Sequence, residues 1–165
     1  MIFAGPRDIP VGVRGGGPSL YGQSQAGGGV VVDLGAMNRG GPVTGDQVSI
    51  QAGVLWREVL SATLPYGRTP PVLTDYLGAG VGGVLSAGGL GGGATHRHGL
   101  VADQVLELEV VTGAGEHRVC SPGRDPELWL NLQCPTTPAG WRSFVDAKRR
   151  HDPHLVLGRG HGLRL

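Results

Sequence analysis

Apolar positions in this chain come in short bursts divided by glycine, with few long periodic stretches. Val11-Gly12-Val13-Arg14 reads as a strand that runs into Gly15-Gly16-Gly17-Pro18-Ser19. Gly27-Gly28-Gly29 then introduces a run at 30–34 that predicts a buried apolar strand. Val48 to Ala52 reads as another strand. Gly53 to Leu64 differs, because Leu55, Trp56, Val59 and Leu60 share one face at i, i+3, i+4 spacing, which predicts a helix that Pro65 stops. Over 104–112, Leu106, Leu108 and Val110 alternate with Glu107, Glu109 and Val111. Gly113-Ala114-Gly115 turns the chain into a returning strand that ends near Cys120, giving a half-exposed hairpin. Further on, Thr137 can cap a helix over 138–150: Pro138 suits its first position, Trp141, Phe144 and Val145 form its stripe, and Lys148 to Arg150 complement its C-terminal dipole.

Composition changes this picture at one point. Of 165 residues, 32 are glycine, roughly 19% against an average near 7%. Collagen is excluded by the lack of a three-residue period, and a flexible linker by apolar segments such as Val30-Val31-Val32. Nine of the sixteen residues from Gly78 to Gly93 are glycine. At about 1 kcal/mol each relative to alanine, that density argues against a stable exposed helix or central strand and for a segment that wraps something or packs very tightly. The net charge of +1, without blocks of like charge, speaks against nucleic acid or an anionic membrane as partner. No run of about 18 apolar residues occurs. The N-terminus lacks a charged start before an apolar core, and Cys120 and Cys134 stand far apart. These features together predict a soluble protein of a reducing compartment, the cytoplasm.

Two loops carry candidate chemistry. After the first strand, consecutive glycines expose a row of backbone N–H groups that can approach a pyrophosphate, with Ser19 adding a hydroxyl; the alternative is an ordinary glycine-rich turn. The loop lacks the lysine of a P-loop, which disfavours ATP hydrolysis. Gly78-Ala79-Gly80-Val81-Gly82-Gly83 fits the nominal G-x-G-x-x-G pattern, with Asp103 downstream. The context is wrong for a Rossmann site, since Pro70-Pro71 and Thr74-Asp75-Tyr76 precede it and Gly88, Gly89, Gly91, Gly92 and Gly93 follow. His96, His98, His151, His154 and His161 have no cysteine or carboxylate at ligand spacing, so no metal is expected. Trp56, Trp141 and Phe144 read as core anchors.

Taken in order, the stretches VRGGGPSLYGQSQAGGGVVVDL (13–34), GVLWREVLSATLP (53–65), PPVLTDYLGAGVGGVLSAGGLGGGATHRHG (70–99) and QVLELEVVTG (104–113) are similar to the FAD domain of the vanillyl-alcohol-oxidase and para-cresol-methylhydroxylase (PCMH) group. The nearest resemblance is to cytokinin dehydrogenase. FVDAKRRHDPHLVLGRGHGL (144–163) resembles the C-terminus of the same enzymes. The resemblance implies an α+β, FAD-binding PCMH-type domain, incomplete, with a C-terminal helix and tail folding back on it. Residues 1–130 would form the partial FAD domain, 131–137 a junction and 138–165 the helix and tail, with the substrate domain absent. Sheet edges left unpaired by the missing segments would favour self-association.

By the same resemblance, Gly15, Gly16, Gly17, Ser19 and Gln23 contact the FAD pyrophosphate and adjoining groups, and Asp75, Gly80, Gly82, Gly83 and Ser86 contribute from the second loop. Gly158 and His161 stand where the family tail contacts the cofactor. Pro18 occupies the place of the histidine that bonds covalently to the flavin, so FAD would be non-covalent. Asp75 matches the aspartate that hydrogen-bonds the substrate amine while a hydride leaves the adjacent carbon; its other reading is a turn residue bonding its own backbone. The substrate would be a small amine or alcohol. The competing reading is a degenerate, non-catalytic remnant that acts at most as an interaction protein.

Overall fold

The computed structural model describes Arg7, residues 9–19 and 22–132, and Asp146, Arg149 and Arg150. Its elements are β1 (Val11–Arg14), β2 (Val30–Asp33), β3 (Gly40–Thr44), β4 (Gln47–Ile50), α1 (Trp56–Thr63), α2 (Val81–Ser86), α3 (Gly92–His98), β5 (Leu108–Val111), β6 (His117–Cys120) and α4 (Pro126–Asn131). The chain divides into two compact units, one from residues 14–18 and 33–105 and the other from 1–13, 19–32 and 106–165.

The unit holding 33–105 has an apolar core of Val54, Trp56, Val59, Val72, Ala79, Val81 and Val101, against which Ile50, Leu73, Leu77, Val84, Leu85 and Ala94 pack. Helix α1 forms where the i, i+3, i+4 stripe predicts it, with Trp56, Val59 and Thr63 buried. The Glu58 carboxylate accepts the Leu55 N–H at 2.8 Å, an N-terminal tie of the capping type. Pro65 turns the last helical residues into a 3-10 turn at Leu64–Tyr66, closed by left-handed Gly67. The hairpin of β3 and β4 is antiparallel with an irregularity between Gly40 and Val43. That irregularity accommodates Pro42, which cannot donate to a ladder and so hid β3 from the sequence pattern.

The glycine-dense segment departs from expectation, for it holds two short helices, α2 and α3. Neither depends on intrinsic propensity alone. The N–H groups of Val81 and Gly82, which the first turn of α2 leaves orphaned, donate to Val54 O (2.8 Å) and Ala52 O (2.9 Å). Val81, Val84 and Leu85 meanwhile face the core, so tertiary contact offsets the glycine cost.

In the other unit, β5 and β6 form the expected antiparallel hairpin, pairing Leu108 with Cys120 and Val111 with His117. The strand begins at Leu108, after a 3-10 turn at Ala102–Gln104, and Leu106 is left exposed. Helix α4, with Pro126 in its first turn, buries Leu128 and Trp129.

The strand at 30–34 is present as β2 but is not buried: all four of its residues are exposed. Among the described strands it pairs with β1 alone, and none covers its other edge. The helix expected over 138–150 is described only at Asp146, Arg149 and Arg150, each helical, and Arg150 forms an ion pair with Glu127. Trp141, Phe144, Gly158 and His161 lie outside the described residues.

Candidate functional site at the glycine loops

Three backbone segments meet where the sequence concentrates glycine: residues 15–17 after β1, residues 52–56 leading into α1, and residues 77–82 leading into α2. Trp56 N–H donates to Ala79 O at 3.1 Å and Arg57 N–H to Leu77 O at 2.9 Å, and Leu55 and Gly80 face each other in an antiparallel bridge. The first glycine loop closes on this crossing. A Cβ at Gly16 would stand 2.6 Å from Gly78 O and 3.3 Å from Gly80 N. Only glycine lets the two main chains come so near. The two loops singled out separately in the sequence are therefore one structure.

Their donors differ. The N–H groups at the start of α2 are consumed by Val54 and Ala52, whereas those of Gly15, Gly16 and Gly17 find no partner among the described residues. Left-handed Gly17 (φ 71) turns the loop, which carries Gly16, Gly17, Pro18 and Ser19 exposed. Successive free amides in a glycine turn can form an anion-binding nest. This suits the two negative phosphates of a dinucleotide, so the residues present fit the pyrophosphate of FAD.

Gly80 and Gly82 serve the crossing: their Cβ positions meet Gly16 N at 3.3 Å and the Ala52 side chain at 2.8 Å. Gly83 faces open space. Ser86 is exposed and its hydroxyl donates to Gly82 O at 2.8 Å, leaving its lone pairs to accept. Asp75 is an exposed bend residue whose Oδ1 stands 3.7 Å from the Cβ position of Gly92, at the start of α3. Its neighbour Tyr76 lays its ring over Gly78, 2.6 Å from where a Cβ would be. Ser19 and Gln23 belong to the other unit, where both are exposed. His161 lies outside the described residues.

Arg14 and Asp33 are features the sequence reading passed over. The Arg14 guanidinium donates to Asp33 Oδ2 at 2.6 Å and Gly35 N–H donates to Asp33 Oδ1 at 2.8 Å. First Arg14 and then Gly35 hold the Asp33 carboxyl below the usual carboxylate range. In the other unit, Cys120 is free and fully buried. Burial, then the charges of Asp125 and Glu107, push its thiol up, away from nucleophilic use. Among the described residues no group of three or more His, Cys, Asp or Glu could hold a metal ion. No described helix is long and apolar enough to cross a membrane.

This mixed helix and strand fold, with its glycine cradle, is that of the PCMH-type flavoproteins. Residues 1–121 match the FAD binding domain family, and the chain belongs to it. An uncharacterised oxidoreductase, ORF5 of the fasciation locus of Rhodococcoides fascians, is 50% identical over 129 residues, covering 78% of this chain and 29% of that protein. Cytokinin dehydrogenase 6 of Oryza sativa subsp. japonica is 43% identical over 134 residues, covering 76% of this chain and 25% of the enzyme. Among solved structures, 6-hydroxy-D-nicotine oxidase of Arthrobacter nicotinovorans superposes with a TM-score of 0.73 at 28% identity, covering 79% of this chain and 29% of that one. A chitooligosaccharide oxidase (TM-score 0.71, 22% identity, 80% and 28% covered) shares the fold. The chain thus spans between a quarter and three tenths of the length of these relatives.

Proposed function

We propose that this chain binds FAD without a covalent bond and belongs to an oxidoreductase that oxidises an amine or alcohol carbon. The observation that carries this reading is the row of N–H groups at Gly15, Gly16 and Gly17, which have no partner among the described residues and stand beside the backbone crossing at Gly16 and Gly80. Those amides would hold the pyrophosphate, with Gly82, Gly83 and Ser86 as further contacts. Bound FAD supplies a hydride acceptor. Pro18 offers no nucleophilic atom, so the cofactor would be dissociable. Asp75, exposed beside the second loop, would accept the proton of the substrate amine or hydroxyl as the hydride leaves the adjacent carbon. A reducing, cytoplasmic location accords with the free thiol of Cys120.

The test is an absorbance spectrum over about 350 to 500 nm of the full chain after incubation with FAD and desalting; tight binding of the native state also raises the thermal midpoint. Retained flavin at near-equal stoichiometry is the expected result. A folded, colourless protein would sink this reading and favour a non-catalytic interaction protein, which the exposed apolar strand β2 also supports.

A further inference from the structure

Resting on the FAD-binding reading, we infer that Arg14 and Asp33 are positioning residues that fix the phosphate-binding glycine loop without touching the phosphate. Arg14 is the last residue of β1 and the loop begins immediately after it. Its main chain is tied to the far end of β2, where Leu34 N–H donates to Arg14 O at 2.8 Å. Its side chain is tied to the same place by the 2.6 Å bond to Asp33 Oδ2. The other carboxylate oxygen accepts Gly35 N–H, so one group clamps the side chain of Arg14 and the turn after β2 together.

The clamp bears on the loop itself. The Cδ and Cγ atoms of Arg14 lie 3.8 and 3.9 Å from the Cβ position of Gly17, the residue whose left-handed φ turns the loop. The support continues inward, since Met37 N–H donates to Leu34 O (2.8 Å) and Gly53 N–H to Met37 O (3.0 Å). That path leads directly to Ala52, the residue against which Gly82 closes. An ion pair whose side chains are each 51% exposed adds little to global stability, so its consequence is geometric. Direct contact with phosphate is the weaker alternative. A carboxylate 2.6 Å away already neutralises the guanidinium, whereas a phosphate ligand needs its charge unspent.

Asp33→Asn, Arg14→Met and Arg14→Lys in the full chain, titrated with FAD and with ADP, test this. Asp33→Asn keeps an acceptor for Gly35 N–H but loses the ionic tie. FAD and ADP affinity should each fall about ten-fold in Asp33→Asn and in Arg14→Met, with the ligand-free thermal midpoint at neutral pH lowered only slightly and no further loss in the double variant. Arg14→Lys, which can still reach Asp33, should recover part of the loss. Unchanged affinity in Asp33→Asn would overturn the inference while leaving FAD binding intact. Tighter ADP binding there would overturn it in favour of direct contact by a freed Arg14, and a matching drop in thermal midpoint in favour of a purely structural pair. A wild-type chain that takes up neither ligand would overturn the FAD-binding reading itself.

Discussion

At the scale of single residues, Asp33 shows how a polar position can be misread. In VVVDL it looks like the interruption of an apolar strand, yet its two oxygens hold Arg14 and Gly35. Because these bonds lower its folded-state pKa, the carboxylate stabilises the fold fully above the usual carboxylate range. That contribution is lost as pH falls through the depressed folded value. Acid titrations of wild type and Asp33→Asn, followed by thermal midpoint, should therefore differ slightly at neutral pH and converge in strong acid. The glycines at 15–17 were legible as a loop after β1. That Gly16 lies against Gly78 and Gly80 was not legible, because which loops touch depends on the path of sixty intervening residues and on no local pattern.

At the scale of elements, α2 separates two uses of glycine that the sequence cannot distinguish. Gly82 and Gly83 are adjacent and share a helix, but a Cβ at Gly82 would stand 2.8 Å from the Ala52 side chain and one at Gly83 would meet nothing. Gly82→Ala is expected to destabilise by about 1–3 kcal/mol through overpacking. Gly83→Ala should instead stabilise by about 0.5–1 kcal/mol through helix propensity. Chemical denaturation of both variants checks the opposite signs. Propensity and spacing revealed α1, β1 and the β5–β6 hairpin, where local pattern and tertiary contact agree. They missed β3, with its internal proline, and α2 and α3, whose glycines are tolerated only because Val54 and Ala52 accept their N–H groups or because the core takes their apolar side chains.

At the scale of the whole molecule, the chain carries its family's FAD domain pattern over residues 1–121 and three separate two-stranded sheets among the described residues. Val30, Val31 and Val32 are exposed at 44%, 39% and 41%, on a strand with one edge that no described strand covers. We propose that this strand drives self-association, for an apolar edge with unpaired N–H and C=O groups is a template for another chain. Sedimentation should show concentration-dependent assembly, and Val31→Lys should suppress it without altering the helical signal. Assembly unchanged by Val31→Lys would move the interface elsewhere.

The crossing at Gly16, Gly78 and Gly80 brings main chains together at glycines, and this has an evolutionary and practical consequence. A cradle whose donors are amides carries no functional group that a point substitution can delete, so it resists loss of chemistry while tolerating almost no added volume. In a saturation scan, intolerance should peak at residues with no side chain to remove. Under the proposed function, Asp75 and Ser86 beside the crossing should vary more freely, so that one inherited cradle could serve dissimilar substrates.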